Sequence, residues 1–278
     1  MSGGTMKTIV LIPSFNECAS LMRLLPKINV PLVVIDDGSN DGTVDYLKSH
    51  NFTYLSKTQN AGVSKAIADG VIYAYDRGFE NVITLDADGQ HDPRHLDAFF
   101  QALHSSDFVY GNRFTNLSNV PSAKVASNMF ASILTLVALG VFVPDVSCGF
   151  RGFKTIDFIN SFNEVDAYQF IYTSLFESIV QKKRLSAVGI EPIYYINTLL
   201  CTRRIEILSL CEAISRFTSI NINGFDRLNN NILQRKDAQI EIRKCMFHFF
   251  YLQQKDSYII QCNLKDALSY YGKELYNV

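Results

Sequence analysis

The sequence predicts an α/β fold: a mostly parallel, doubly wound sheet flanked by helices and followed by a helical C-terminal extension. Three observations carry that expectation. Short β-branched runs alternate with longer stretches of helical periodicity through the first half of the chain. Polar clusters follow directly after the apolar runs, where parallel sheets gather their ligand-binding loops. From about Arg204 onward the pattern changes to helical segments with many Asn, Gln and Lys residues.

Taken in order, the first strand is expected at Thr8 to Ile12 and leaves through Ser14-Phe15-Asn16-Glu17. The second, Leu32 to Ile35, ends in Asp36-Asp37-Gly38-Ser39. A third lies at Thr53 to Leu55, and after it Val63, Ala66, Ile67, Gly70, Val71 and Ala74 recur at helical spacing. The fourth, Asn81 to Leu85, runs into Asp86-Ala87-Asp88-Gly89-Gln90, and Pro93 then starts a helix over Arg94 to Leu103. The fifth, Phe108 to Tyr110, is followed by Gly111-Asn112-Arg113.

The apolar stretch Met129 to Val143 closes at Pro144. Its length, about 15 residues, falls short of the roughly 20 that cross a bilayer. It reads as a buried helix or as one lying on a membrane surface. The domain reading is a main domain over residues 1–204 and a helical extension over 205–278, with Asn229-Asn230-Asn231 as a break.

Composition narrows the function. A chain of 278 residues with 47% hydrophobic content can bury one core of ordinary domain size. Lys+Arg 26 against Asp+Glu 27 leaves no global field to attract nucleic acid. The six cysteines, Cys18, Cys148, Cys201, Cys211, Cys245 and Cys262, form no CxxC pair, so they suggest reduced thiols in a cytoplasmic protein. The first apolar run, Ile9 to Ile12, is too short for the core of a signal peptide.

Asp86 and Asp88 are the leading candidates for chemistry. In extended backbone, residues i and i+2 project to one side, so the two carboxylates are expected to face one point. Mg²⁺ or Mn²⁺ takes oxygen ligands from a few carboxylates plus phosphate, which suits a pair holding a diphosphate, and Gln90 could add an amide oxygen. The plainer reading is turn and cap chemistry at a strand end. Asp37 could accept from a base N–H or a ribose hydroxyl, or simply form an Asx turn; Asp41 and Thr43 read better as helix-entry residues.

The runs VLIPSFNE, VVIDDGSNDGT, NAGVSKAIADG and ITLDADGQHDP, in that order, resemble the family 2 glycosyltransferases, whose members have the GT-A nucleotide-sugar fold. The likeness covers roughly residues 7 to 154. It implies that Pro13, Asn16, Glu17 and Asp37 line the nucleoside, while Asp86, Asp88 and Gln90 hold metal and diphosphate. GNRF at Gly111 to Phe114 and DVSCGFRGFK at Asp145 to Lys154 are similar to the branch that glycosylates polyprenyl or dolichyl phosphate. By that analogy Arg113 contacts phosphate, and Arg151 and Lys154 sit near the acceptor or leaving group.

The resemblance further implies an inverting, metal-dependent transfer from a UDP- or GDP-linked sugar. The expected acceptor is a lipid phosphate at the inner face of a membrane, the alternative a hydroxyl of a glycan or glycolipid in cell-surface polysaccharide synthesis. A hydroxyl acceptor needs a base, for which Asp145 is the first candidate, though it reads equally as a loop Asp capping a neighbouring backbone N–H; a phosphate acceptor is already anionic. His91 reads as a donor or acceptor contact, or as a hydrogen-bonded spacer.

The sequence departs from the branch after Pro192, where YYINTLLCTRR stands in place of the relatives' Arg, Gly and Ser-Lys pattern; Arg203 or Arg204 could still fold over the diphosphate. Membrane contact could also come from the aromatic segment Met246 to Leu252, although Phe247, Phe249, Phe250 and Tyr251 read somewhat better as an interhelix core. Two rival readings are weaker. A sugar nucleotidyltransferase would carry a glycine-rich GxGTR-like loop where this chain has IPSFNE, and a non-catalytic binding protein would not need Asp86, Asp88 and Arg113 together.

Overall fold

The computed structural model describes residues 7–116, 120, 122–159, 169–193 and 210. Among them the strands are β1 (Thr8–Ser14), β2 (Leu32–Asp36), β3 (Tyr54–Ser56), β4 (Asn81–Thr84), β5 (Phe108–Asn112), β6 (Arg151–Lys154) and β7 (Leu185–Gly189). They form one sheet in the order β3-β2-β1-β4-β6-β5-β7. All neighbours pair in parallel except β6, which runs against both β4 and β5.

Every residue of β1 is buried, as expected of a central strand covered on both faces. Its side chains alternate between two cores. Ile9 and Leu11 join Val33, Ile35, Val71, Phe153 and Phe176 on one face. Val10 and Ile12 join Val34, Leu21, Phe99 and Phe150 on the other.

The second face is covered by α1 (Cys18–Leu24), α2 (Thr43–Ser49) and α4 (Leu96–Leu103). The first is covered by α3 (Val63–Asp76), α5 (Ser122–Leu139), α6 (Thr155–Phe158) and α7 (Gln169–Val180). In α3 the expected stripe of Ala66, Ile67, Gly70, Val71 and Ala74 is the buried one. Gly70 lets the helix approach closely, since a Cβ there would meet Ile35 Cδ1 at 2.9 Å.

The five strands expected from sequence are present, with ends moved by two residues at most. The helix expected after Pro93 opens as a 3-10 turn, Pro93–His95, in which Asp92 accepts a hydrogen bond from the Arg94 N–H, and continues as α4. Helix α5 starts well before Met129 and stops at Gly140, which adopts φ +72° and donates its N–H to the Leu136 carbonyl. Met129, Ile133, Leu134 and Leu136 are all buried, so the buried-helix reading of this stretch holds. No helix of the described residues is long and apolar enough to cross a membrane.

Strands β6 and β7 were not expected from the sequence. Arg151-Gly152-Phe153-Lys154 is four residues with a charge at each end and a glycine inside, so it lacks the alternation that marks a strand. The boundary between residues 204 and 205, the extension apart from Leu210, and the segment Met246 to Leu252 lie outside the described residues.

Candidate active site

The carboxyl ends of β1, β2 and β4 open on one edge of the sheet, where an α/β fold binds its ligands. The loops after β1 and β2 are stitched to each other. Asn16, at φ +56°, donates its N–H to Ser39 Oγ at 2.8 Å and accepts the Asn40 N–H on Oδ1 at 2.9 Å. The Cys18 N–H donates to Asp41 Oδ2 at 2.9 Å. Asp41 also accepts from the Thr43 N–H and hydroxyl, which makes it the helix-entry residue the sequence suggested.

Pro13 is buried in β1 opposite Ile35, and Glu17 caps α1 through its carbonyl rather than its side chain. Asp37 departs from expectation. It is 3% exposed, and its carboxylate accepts from the Ala61 and Gly62 N–H groups at 3.1 and 2.7 Å and pairs with Lys57 at 3.1 Å. Asp37 thereby anchors the start of α3. Lys57 in turn reaches Asp69 at 2.9 Å.

Beyond β4 the chain leaves extended geometry: Ala87 and Asp88 lie in a turn completed by Gly89 at φ +76°. The turn, rather than the strand alternation assumed from sequence, therefore sets how Asp86 and Asp88 sit. Asp88 accepts the Gln90 N–H on Oδ1 at 2.9 Å and the Gln90 amide on Oδ2 at 2.6 Å. About a third of the Asp86 side chain, 37%, remains exposed, so it can be reached by a cation. Burial raises the pKa of both carboxyls, and the charge of Asp86 raises that of Asp88 further.

Asp86 rests in a built seat. A Cβ on Gly149 would lie 2.7 Å from Asp86 Oδ1 and 2.9 Å from its Cγ, with Oδ2 closer still. On another side His91 Nδ1 stands 3.5 Å from Asp86 Oδ2. The His91 ring is 3% exposed, tilts against Phe150 at 5.5 Å between centroids, and has Nδ1 buried without a hydrogen-bond partner. Burial, helped by the charge of Arg113, lowers the His91 pKa to about 4, so the ring is neutral at pH 7.

These residues fit a hard divalent cation. Two desolvated carboxylates repel each other, one is partly open, and an amide lies beside the other. Among the described residues no three His, Cys, Asp or Glu side chains gather into an all-protein cage. A cation here would take its remaining oxygens from water or from a bound phosphate, as Mg²⁺ and Mn²⁺ readily do.

The expected cations behave differently from one another. Arg113 is 9% exposed and grips Asp145, with Nε to Oδ2 and Nη2 to Oδ1 both at 2.8 Å; Nη2 also reaches Ser147 Oγ at 2.8 Å. Its charge is felt at Asp86 and His91. Asp145 is fully buried and also accepts the Arg113 N–H at 3.0 Å, which matches its reading as a loop Asp capping a backbone N–H.

Arg151 also departs from expectation. It is fully buried and donates to the Cys148, Val146 and Ile171 carbonyls and to Ser174 Oγ. It braces the loop before β6, burial drops its pKa to about 10, and its charge, like that of Arg113, is felt at Asp86. Lys154 lies opposite Asn81 at the amino end of β4, the far edge of the sheet from Asp86, and pairs with Asp107 at 2.7 Å. Antiparallel β6 separates the two cations, which is why one motif serves both edges.

Sequence reasoning missed three contributors. Gly149 and Thr84 act together: the Thr84 hydroxyl donates to the Gly149 carbonyl at 2.6 Å. Lys124, on α5, is felt electrostatically at Asp86, Asp88 and His91. Nothing local in the sequence marks these residues: Thr84 and Gly149 meet because β6 pairs with β4, and Lys124 acts from α5. Arg203 and Arg204 lie outside the described residues.

Comparison with known proteins gives the family and the fold. The model for glycosyl transferase family 2 matches residues 9–162, and the chain belongs to that family. Among solved structures, glucosyl-3-phosphoglycerate synthase from Mycobacterium tuberculosis with uridine diphosphate superposes with a TM-score of 0.57 at 16% identity, over 76% of this chain and 80% of that one. The fold is therefore GT-A.

An undecaprenyl-phosphate mannosyltransferase from Micrococcus luteus is 28% identical over 54% of this chain and 67% of its own length. A polyprenol monophosphomannose synthase from Mycolicibacterium smegmatis is 28% identical, over 54% and 62%. A UDP-N-acetylglucosamine–dolichyl-phosphate N-acetylglucosaminyltransferase from Methanococcus voltae is 27% identical, over 52% and 68%.

Proposed function

We propose that the protein transfers a sugar, with inversion, from a nucleoside diphosphate to a polyprenyl phosphate at a membrane surface. The observation that carries the reading is the Asp86–Asp88 pair, mutually repelling and partly open at the carboxyl edge of the sheet. A bound Mg²⁺ or Mn²⁺ would neutralise charge on the departing diphosphate. Structures of the related synthase with Mn²⁺ and with Mg²⁺ support a divalent ion.

The chain's own residues supply the rest. Asp86, Asp88 and Gln90 hold the cation side, Arg113 adds positive potential felt at Asp86, and the stitched loop of Pro13, Asn16 and Glu17 borders the nucleoside. A neutral His91 adds no charge to compete with the cation. The acceptor choice follows from Asp145: with both oxygens held by Arg113 it is not disposed to take a proton from a hydroxyl, and a phosphate acceptor needs no base. The relatives named for polyprenyl or dolichyl phosphate support the same choice.

The test is transfer of radiolabel from UDP- or GDP-sugars, with undecaprenyl phosphate in one arm and lipid-linked oligosaccharide in the other. Label extracted with the lipid phosphate alone is expected, and label found only on the oligosaccharide overturns the reading. Thermal shifts with UDP, GDP and dTDP, each with and without Mn²⁺, identify the base.

A further inference from the structure

We infer that Gly149 is a positioning residue for the carboxylate pair: the space left by its missing side chain is the seat of the Asp86 carboxylate. The inference rests on the functional reading above for its consequence, but its geometry stands apart from it.

Two explanations for a glycine at this position can be separated. Glycine is often required where φ is positive, and in this chain that holds at Gly38, Gly42, Gly62, Gly78, Gly89 and Gly140. Gly149 is not among these, so its backbone suits any residue. What forbids a side chain is space: a Cβ would lie 2.7 Å from Asp86 Oδ1 and nearer still to Oδ2.

The backbone side of that contact cannot yield easily, so the partly exposed Asp86 carboxylate is the side that must move. The Gly149 carbonyl is tied to the Thr84 hydroxyl at 2.6 Å, and the adjoining segment is fixed by β6 pairing, with Arg151 opposite Thr84. Arg151, fully buried, grips the Cys148 carbonyl at 2.8 Å from the other side. On another side Asp86 is bounded by His91, whose ring packs on Phe150 while Phe150 stacks on Phe99 at 4.0 Å. A methyl group at Gly149 would therefore turn the Asp86 carboxylate out of its place beside Asp88, and the cation site would be lost through Asp86 rather than through any contact of its own.

The test is a double-mutant cycle on the full chain, with G149A, D86A and the double variant D86A/G149A. Two readouts are taken: thermal midpoint without ligand, and Mn²⁺ binding in the presence of UDP or GDP, followed by the paramagnetic resonance of free Mn²⁺. G149A is expected to weaken Mn²⁺–diphosphate binding at least tenfold. In the D86A background the added methyl should cost no further binding, and the midpoint lost in G149A should be recovered.

If G149A fails to fold, the double variant decides: recovery supports the seat, and equal failure overturns it. Wild-type affinity in G149A, or additive losses in the cycle, also overturns it. Were the wild type to bind no Mn²⁺ with either diphosphate, the functional reading would fail while the midpoint cycle still judged the seat.

Discussion

Arg113 closes both oxygens of the Asp145 carboxylate, Nε on Oδ2 and Nη2 on Oδ1, each at 2.8 Å and both buried. The fork matches the carboxylate plane, and the Arg113 N–H adds a third bond at 3.0 Å. The pair ties the end of β5 to the loop that leads into β6, and so sets the wall beside Asp86.

Breaking that pair leaves a buried charge uncompensated. R113A and D145A should each lose about 3 kcal/mol or more of stability, measured by denaturant unfolding. D145N should also be destabilised, yet its activity that survives should keep the wild-type dependence of rate on pH, because Asp145 carries no proton in the reaction. Loss of the acid limb in D145N, the fall in rate as a general base is protonated, would restore it as the base.

Asp86 shows the opposite balance. Its folded pKa is raised by burial, so the stability it contributes is present at low pH and is lost as pH rises through that raised value. D86N removes the ionised form. At pH 7 the ligand-free variant should melt no lower than wild type, while the Mn²⁺–diphosphate shift disappears. A large drop in the ligand-free midpoint would contradict this.

Asp107 should set the acid limb of stability. The Arg184 and Lys154 side chains bond its carboxylate and hold its pKa well below the usual carboxylate range. A depressed folded pKa gives stability that is present above the unfolded value of about 4 and lost as pH falls below it. D107N should lower the melting point at pH 7 and flatten its decline below pH 4, with about one proton fewer taken up on unfolding. Activity should change little, since Asp107 lies at the amino edge of the sheet.

Asp37 offers a check on the nucleoside side. D37N keeps an oxygen for the Ala61 and Gly62 N–H groups but loses the Lys57 pair, so it should cost about 1–3 kcal/mol. Nucleotide affinity of the folded variant should fall only modestly for UDP and GDP alike. Loss of affinity for one base alone would return Asp37 to base recognition.

How far the sequence could be read depended on whether the information was local. The five strands with β-branched runs, the α3 stripe and Asp41 as a helix-entry residue were legible because periodicity and capping act within a few residues. Asp86 and Asp88 were legible as a pair, though the turn at Ala87 and Asp88 was not. The functions assigned to Asp37, Asp145, Arg151 and Lys154 were not legible, because each depends on a partner far along the chain: Gly62, Arg113, Ile171 and Asp107. A carboxylate or guanidinium reads alike in sequence whether it meets a substrate or a buried neighbour.

Strand β6 has a length constraint that composition does not reveal. Its residues alternate faces while one end braces the cleft and the other meets Asp107, so the stretch from Gly149 to Lys154 can exchange side chains more readily than it can gain or lose one. A single inserted or deleted codon there would transpose the Arg151 and Gly152 faces, slide the small residue out from under Asp86, and undo both edges of the sheet at one stroke.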